Sequence, residues 1–218
     1  MRTRALCLVL AAAIAPRVAA QQLPAPEPTL DVVLPADSLR GRVAPAVVST
    51  RMLEDRTTRE LLHSGFPARL KYRLEIWEAR TLFDSRLRSV EWDVIVRYDP
   101  LAKHYTVSRL TEQRMTPLGT LAELRDAQEM TARPFVPDIA PPADHKKRYY
   151  YFASLEVEML SVSDIGEVER WLKGEATPAI EGQQNAGTAL GRGFQTLFTN
   201  LLGGQVRTYH SHSAIFRP

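Results

Sequence analysis

The stretch LKYRLEIWEARTLFDSRLRSVEWDVIVRYDPLAKHYTV, Leu70 to Val107, decides the fold. Leu70, Tyr72, Leu74 and Ile76 alternate with Lys71, Arg73 and Glu75. The same period of two returns in Trp92, Val94, Val96 and Tyr98 against Asp93 and Arg97, and again in Tyr105 and Val107 against Thr106 and Ser108. Successive side chains of a strand point to opposite faces, so this alternation specifies a half-buried antiparallel sheet. Three consecutive strands, a meander, are expected, with one dry face and one wet face. Asp99-Pro100-Leu101-Ala102-Lys103 is a turn between two of them, because proline presets the backbone angle at the second position of a turn. The connection Arg80–Arg88 is longer and charged.

Outward on the N-terminal side, Ala46–Leu53 reads as a strand. Asp55 caps a helix over Arg56–Ser64 that stops at Gly65. Residues 21–45 contain Pro24, Pro26, Pro28, Pro35 and Pro45 and form a proline-rich spacer with a strand-like island at Leu30–Leu34, an edge strand at most. Residues 1–20 have the layout of a secretory signal peptide. Arg2 and Arg4 precede an apolar run from Ala5 to Ala15, and Val18-Ala19-Ala20 offers small residues for cleavage. That run is shorter than the about 20 residues a membrane span needs. The expected product begins at Gln21, lies in the periplasm or outside the cell, and has no transmembrane segment.

On the C-terminal side, Thr120 and Glu123 have capping-box spacing and predict a helix over residues 121–130. The prolines between residues 131 and 147 predict a loop. Tyr149, Tyr151, Ala153, Leu155, Val157 and Met159 then lie on one face of a long strand over residues 148–160. Ser154, Glu156 and Glu158 lie on the other, with Lys71 and Arg73 as expected cross-strand partners. Asp164 and Glu167 open a further helix that ends at Gly174. Beyond it come a linker, an apolar helical stripe made by Leu190, Phe194, Leu197, Phe198, Leu201 and Leu202, and a last strand within Val206–Phe216. The predicted organisation is a signal peptide at 1–20, a spacer at 21–45, an α+β domain at 46–174, and a linker, amphipathic helix and terminal strand at 175–218. The fold class is α+β: an antiparallel sheet of four to six strands, built from a meander core at 70–108 and a strand at 148–160, with short helices packed on one face.

The chain of 218 residues carries 28 basic and 25 acidic residues. Residues 1–20 hold Arg2, Arg4 and Arg17 and no acid, which leaves 25 of each sign after cleavage. A neutral exported chain gives no reason to expect nucleic acid. Cys7 is the single cysteine and falls in the leader, too early to be a lipid-modified residue. Disulfides, thiol catalysis and cysteine zinc sites are therefore excluded from the product.

The segment from about Val47 to Lys173 resembles a bacterial exported family known as domain of unknown function 4390. The resemblance rests on Leu61-Leu62-His63-Ser64-Gly65-Phe66-Pro67 running into the Leu70–Trp77 strand, on Trp92, on Tyr98-Asp99-Pro100-Leu101 with Tyr105 and Val107, on the helix beginning Thr120-Leu121, and on the strand ending Leu155–Leu160. It implies an envelope location and supplies no catalytic residues.

His210 and His212 fall on one face of a strand and need a third ligand from His63, His104, His145 or a carboxylate before they hold a metal. Glu156 with Glu158, and Glu91 with Asp93, are spaced for paired acid–base work but lie on the face opposite the aromatic residues, where ion pairing is the expected role. Lys146-Lys147-Arg148 followed by Tyr149-Tyr150-Tyr151 mixes cations and aromatic rings that suit anionic lipid headgroups or nucleic acid; export argues against nucleic acid, and a charged loop entering a tyrosine-rich strand is the expected explanation. Neither Gly-x-Ser-x-Gly nor His-Glu-x-x-His occurs. The expected function is a non-catalytic envelope module that uses no cofactor and binds a partner protein. The alternative is a carrier holding a lipid or other apolar ligand between the sheet and the helix of Leu190, Phe194, Leu197, Phe198 and Leu201. Metal-assisted hydrolysis trails both.

Overall fold

The computed structural model describes residues 26–34, 44–111, 114–160 and 206–218. Its elements are β1 (Thr29–Val33), β2 (Ala46–Thr50), α1 (Arg56–His63), β3 (Ala68–Ala79), β4 (Ser85–Asp99), β5 (His104–Thr111), β6 (Arg114–Leu121), α2 (Leu124–Thr131), β7 (Arg148–Met159) and β8 (Arg207–His212). Six strands form an antiparallel sheet in the order β6-β5-β4-β3-β7-β8, and β1 pairs with β2 in a separate ribbon. The architecture is α+β and mostly antiparallel sheet. With eight strands among the described residues it exceeds the four to six expected, although the main sheet itself has six.

The meander forms as the alternation requires. Leu70, Tyr72, Leu74 and Ile76 of β3, Trp92, Val94 and Val96 of β4, and Tyr105 and Val107 of β5 are all buried on one face. From β7 the same face receives Tyr149, Tyr151, Ala153, Leu155 and Val157. Strand β3 is the centre, paired along its whole length with β7 and along most of it with β4. A register shift after Ile76 skips Leu87, which turns onto the core as a bulge residue.

The ribbon β1–β2, both helices and the 131–147 loop cover the dry face. Leu30 and Val47 join its core, so the strand-like island of the spacer is a strand of the ribbon rather than an edge of the main sheet. The Ser49 and Tyr72 hydroxyls meet at 2.6 Å in the interior. Helix α1 is capped by Asp55, whose carboxylate accepts the Thr58 N–H at 2.9 Å, and these bonds pull its pKa below the usual carboxylate range. It ends in a Schellman motif: Gly65 and Phe66 donate back to Leu62 and Leu61, and Gly65 takes φ +91. The loop after α2 keeps Phe135 paired with Val47 through two backbone bonds of 2.8 and 3.0 Å, and Phe135 tilts against Trp92.

One helix start differs from expectation. Thr120 and Leu121 are the end of β6, and α2 begins only at Leu124, with Glu123 as a cap whose side chain makes no capping bond. The Thr120 backbone instead pairs with Thr106. Strand β6 is a sheet edge, where Pro117 is tolerated beside the register shift at Val107/Ser108. Gly119 leaves room for the end of the Met130 side chain, which brings α2 back over its own strand. The terminal strand appears as β8, followed by a bridge between Phe216 and Tyr149. The helix expected at 164–174, the linker and the helical stripe lie outside the described residues.

Candidate functional site

The expected contact residues Leu190, Phe194, Leu197, Phe198 and Leu201 fall outside the described residues, and with them the expected ligand space. The remaining candidates are placed as follows.

His210 and His212 occupy alternate exposed positions of the edge strand β8, and His210 stacks on Phe152. The other histidines lie elsewhere. His63 packs edge-on against Tyr98 and Tyr105, and His145 is bonded to the Pro218 carbonyl. Among the described residues no group of three or more His, Cys, Asp or Glu side chains is placed to hold a metal ion.

The four carboxylates sit on the wet face in ion pairs. Lys71 meets Glu156 at 3.8 Å, within the cross-strand expectation. Arg73 departs from it: its β7 neighbour is the uncharged Ser154, and it pairs instead with Glu91 of β4 at 2.8 Å. Arg69 is shared between Asp93 at 2.7 Å and Glu158 at 3.3 Å. Burial pushes both acids above the ordinary carboxylate range, with the Arg69 charge opposing it. Burial also works against Arg69, but Asp93, Glu158 and, more weakly, Glu156 act on its single charge and hold its pKa up. Each of these carboxylates faces a cation, an arrangement that holds strands together rather than one that moves protons.

The basic-aromatic run divides by face. Tyr149 and Tyr151 turn into the core, where the Tyr151 hydroxyl donates to the Ile139 carbonyl. Tyr150 turns outward and stacks on Trp77 with the rings 13° from parallel. Lys147 reaches Glu78 at 3.2 Å, and Arg148 pairs in register with Ala79. The run therefore flanks the β3–β4 hairpin end.

That hairpin end is the feature the sequence reading passed over. The ladder closes at Glu78↔Ser85, and the connection beyond it projects Leu82 and Phe83, 86% and 84% exposed. Asp84 braces the tip from inside. One carboxylate oxygen accepts the Arg80 backbone N–H at 2.9 Å, and the other accepts the Tyr150 O–H at 3.0 Å. Below it the Arg80 guanidinium donates twice to Glu78, at 2.9 and 3.1 Å, and those bonds pull the Glu78 carboxyl down. Trp77 and Arg86 both donate to Glu75, at 2.9 and 3.0 Å. The stem is tied on every side while its apolar apex is not. Residues 75–88 and 144–148 contain six basic and four acidic side chains, and Lys146 and Arg148 are exposed. The signal in the sequence was an apolar pair, Leu82-Phe83, inside an otherwise charged connection. A hairpin loop with no described element over it is where such a pair is left in solvent.

The family model described as Domain of unknown function (DUF4390) matches residues 47–171, and the chain belongs to that family. The match begins inside β2 and takes in everything through β7, including the hairpin tip, while β1 and β8 lie outside it. No curated protein and no solved structure matches the chain. No helix among the described residues is long and apolar enough to cross a membrane.

Proposed function

We propose that this member of the DUF4390 family is a non-catalytic module of the cell envelope that works by contact, docking on another envelope component through the β3–β4 tip. The observation that carries the reading is the pairing of a tied stem with a bare apex: Leu82 and Phe83 stand in solvent on a hairpin whose neighbours Asp84, Arg80 and Tyr150 are bonded in place. An adjacent pair of large apolar side chains held in solvent on a fixed scaffold is a candidate contact site. The ion-paired carboxylates of the wet face favour a structural role for them over acid–base work. The leader-like residues 1–20 support export, with Gln21 as the first residue of the product.

The test is fractionation of the producing cells. Processed protein with Gln21 at its N-terminus, held in the envelope fraction and released by the double substitution Leu82→Ser/Phe83→Ser, supports the reading. Retention of the variant at the wild-type level, or an unprocessed cytoplasmic product, overturns it.

A further inference from the structure

Resting on the contact reading above, we infer that the hairpin tip docks on an anionic lipid surface, with Leu82 and Phe83 entering the acyl boundary while Lys146 and Arg148 face the headgroups. Three observations select lipid over a protein. The apex of a two-strand hairpin presents only two large apolar side chains, whereas a stable protein interface draws on about 20–30 residues a side. A bilayer accepts a narrow wedge without a matching shape. The stacked Trp77 and Tyr150 lie one ladder step below the end of the hairpin, behind the apex, where amphipathic rings would settle in a membrane interface once the tip has entered. The charge also has the right sign. Glu78 is shared by Arg80 and Lys147, and Lys146 and Arg148 add exposed positive charge beside the tip. Cations flanking an inserted apolar pair add electrostatic attraction to a single weak anchor, the combination that makes peripheral binding stable.

The experiment is sedimentation of the processed protein, recovered from its producing cells, with vesicles rich in phosphatidylglycerol and with vesicles of phosphatidylcholine alone. The inference expects binding to the anionic vesicles that weakens with added salt. It expects a fall of about tenfold or more for Leu82→Ser/Phe83→Ser, and a similar fall for Lys146→Glu/Arg148→Glu. Thermal unfolding of each variant establishes that it is folded, and the single substitution Phe83→Ser replaces the double one if that chain does not fold. Absence of binding to anionic vesicles, equal binding to both kinds, or binding indifferent to the tip substitutions overturns the inference. Tip-dependent dimers without vesicle binding assign the apex to a second copy and overturn it as well. Failure here with tip-dependent envelope retention in cells removes the lipid and leaves the contact reading standing. A variant still retained in the envelope removes both.

Discussion

The guanidinium of Arg69 donates twice to a single oxygen of Asp93, from Nε at 2.9 Å and from Nη2 at 2.7 Å. Both side chains are 11% exposed, and the same cation also reaches Glu158 on the opposite neighbouring strand. Arg69 therefore ties β4, β3 and β7 across the centre of the sheet. Replacing it with alanine strands two carboxylates in a half-dry environment. Loss of one partner from a buried pair costs about 3–5 kcal/mol, and the partial exposure of Glu158 places Arg69→Ala toward the lower end of that range. Urea unfolding checks it, and Asp93→Asn introduced together with Arg69→Ala is expected to recover part of the loss.

The same cluster sets a pH dependence. Burial raises the folded-state pKa of Asp93 and Glu158 above their unfolded values, so the folded chain holds those protons more tightly. Their contribution to stability is then greatest in acid and falls as pH rises through the window from the unfolded to the raised folded values. Asp55 acts oppositely: its lowered pKa supplies stability above the unfolded value that is lost as pH falls through the folded one. Asp93→Asn removes one of the acid-favouring groups. As pH rises above the ordinary carboxylate range its stability is expected to change in favour of the higher pH relative to wild type, measured by denaturant titration at each pH.

Tyr72 is the hinge between ribbon and sheet. Its hydroxyl meets Ser49 at 2.6 Å in the interior, its ring stacks on Trp92 within 3° of parallel, and burial pushes its pKa up to about 12. Tyr72→Phe leaves the ring stack intact and orphans the Ser49 hydroxyl, whose other contact is a long 3.5 Å approach to the Thr131 carbonyl. A loss of about 1–2 kcal/mol is expected, and a double-mutant cycle with Ser49→Ala is expected to show coupling of at least about 0.5 kcal/mol.

At the two ends of α1 the costs have different origins. Asp55→Ala removes an N-cap bond and is expected to cost about 1 kcal/mol. Gly65→Ala meets no atom within 4 Å, so its cost of about 1 kcal/mol or more comes from the backbone at φ +91 alone. Thermal unfolding of the two variants separates these from any steric effect.

Leu82→Ser/Phe83→Ser is expected to leave the unfolding midpoint nearly unchanged, within about 0.5 kcal/mol, because neither side chain belongs to the core. A larger loss means that the apex is packed and is not a free contact surface. This measurement is what gives the binding experiments their meaning.

The parts of the fold that were legible in the sequence are those where one face is buried and the other is wet. Leu70 to Val107 and Tyr149 to Val157 alternate because their sheet has a covered side and a charged side, and the alternation shows the strands and which residues share the wet face, Lys71 and Glu156 among them. Strand β6 was hidden for the converse reason. It is an edge, so Pro117 and Gly119 are admissible, and the Thr120–Glu123 spacing mimics a helix start that the backbone pairing with Thr106 overrides. Arg73 was given the wrong partner because sequence shows which residues share a face and not which of two neighbouring strands supplies the charge. The tip was missed on similar grounds. An apolar pair in a connection announces itself as exposed only once the topology shows that no described element passes over it.

Arg69 and Glu158 meet across 89 residues of chain, whereas β3 and β4 meet through a short hairpin. The middle strand thus acquires one neighbour locally and the other only after a long segment has been synthesised. Contacts of that separation slow the search for the native topology, and stopped-flow refolding is expected to show a slower phase than a hairpin-built sheet of this size. A polypeptide that zips up late keeps one side of its middle strand unpaired for longer, and until β7 arrives that bare edge is open to mispairing.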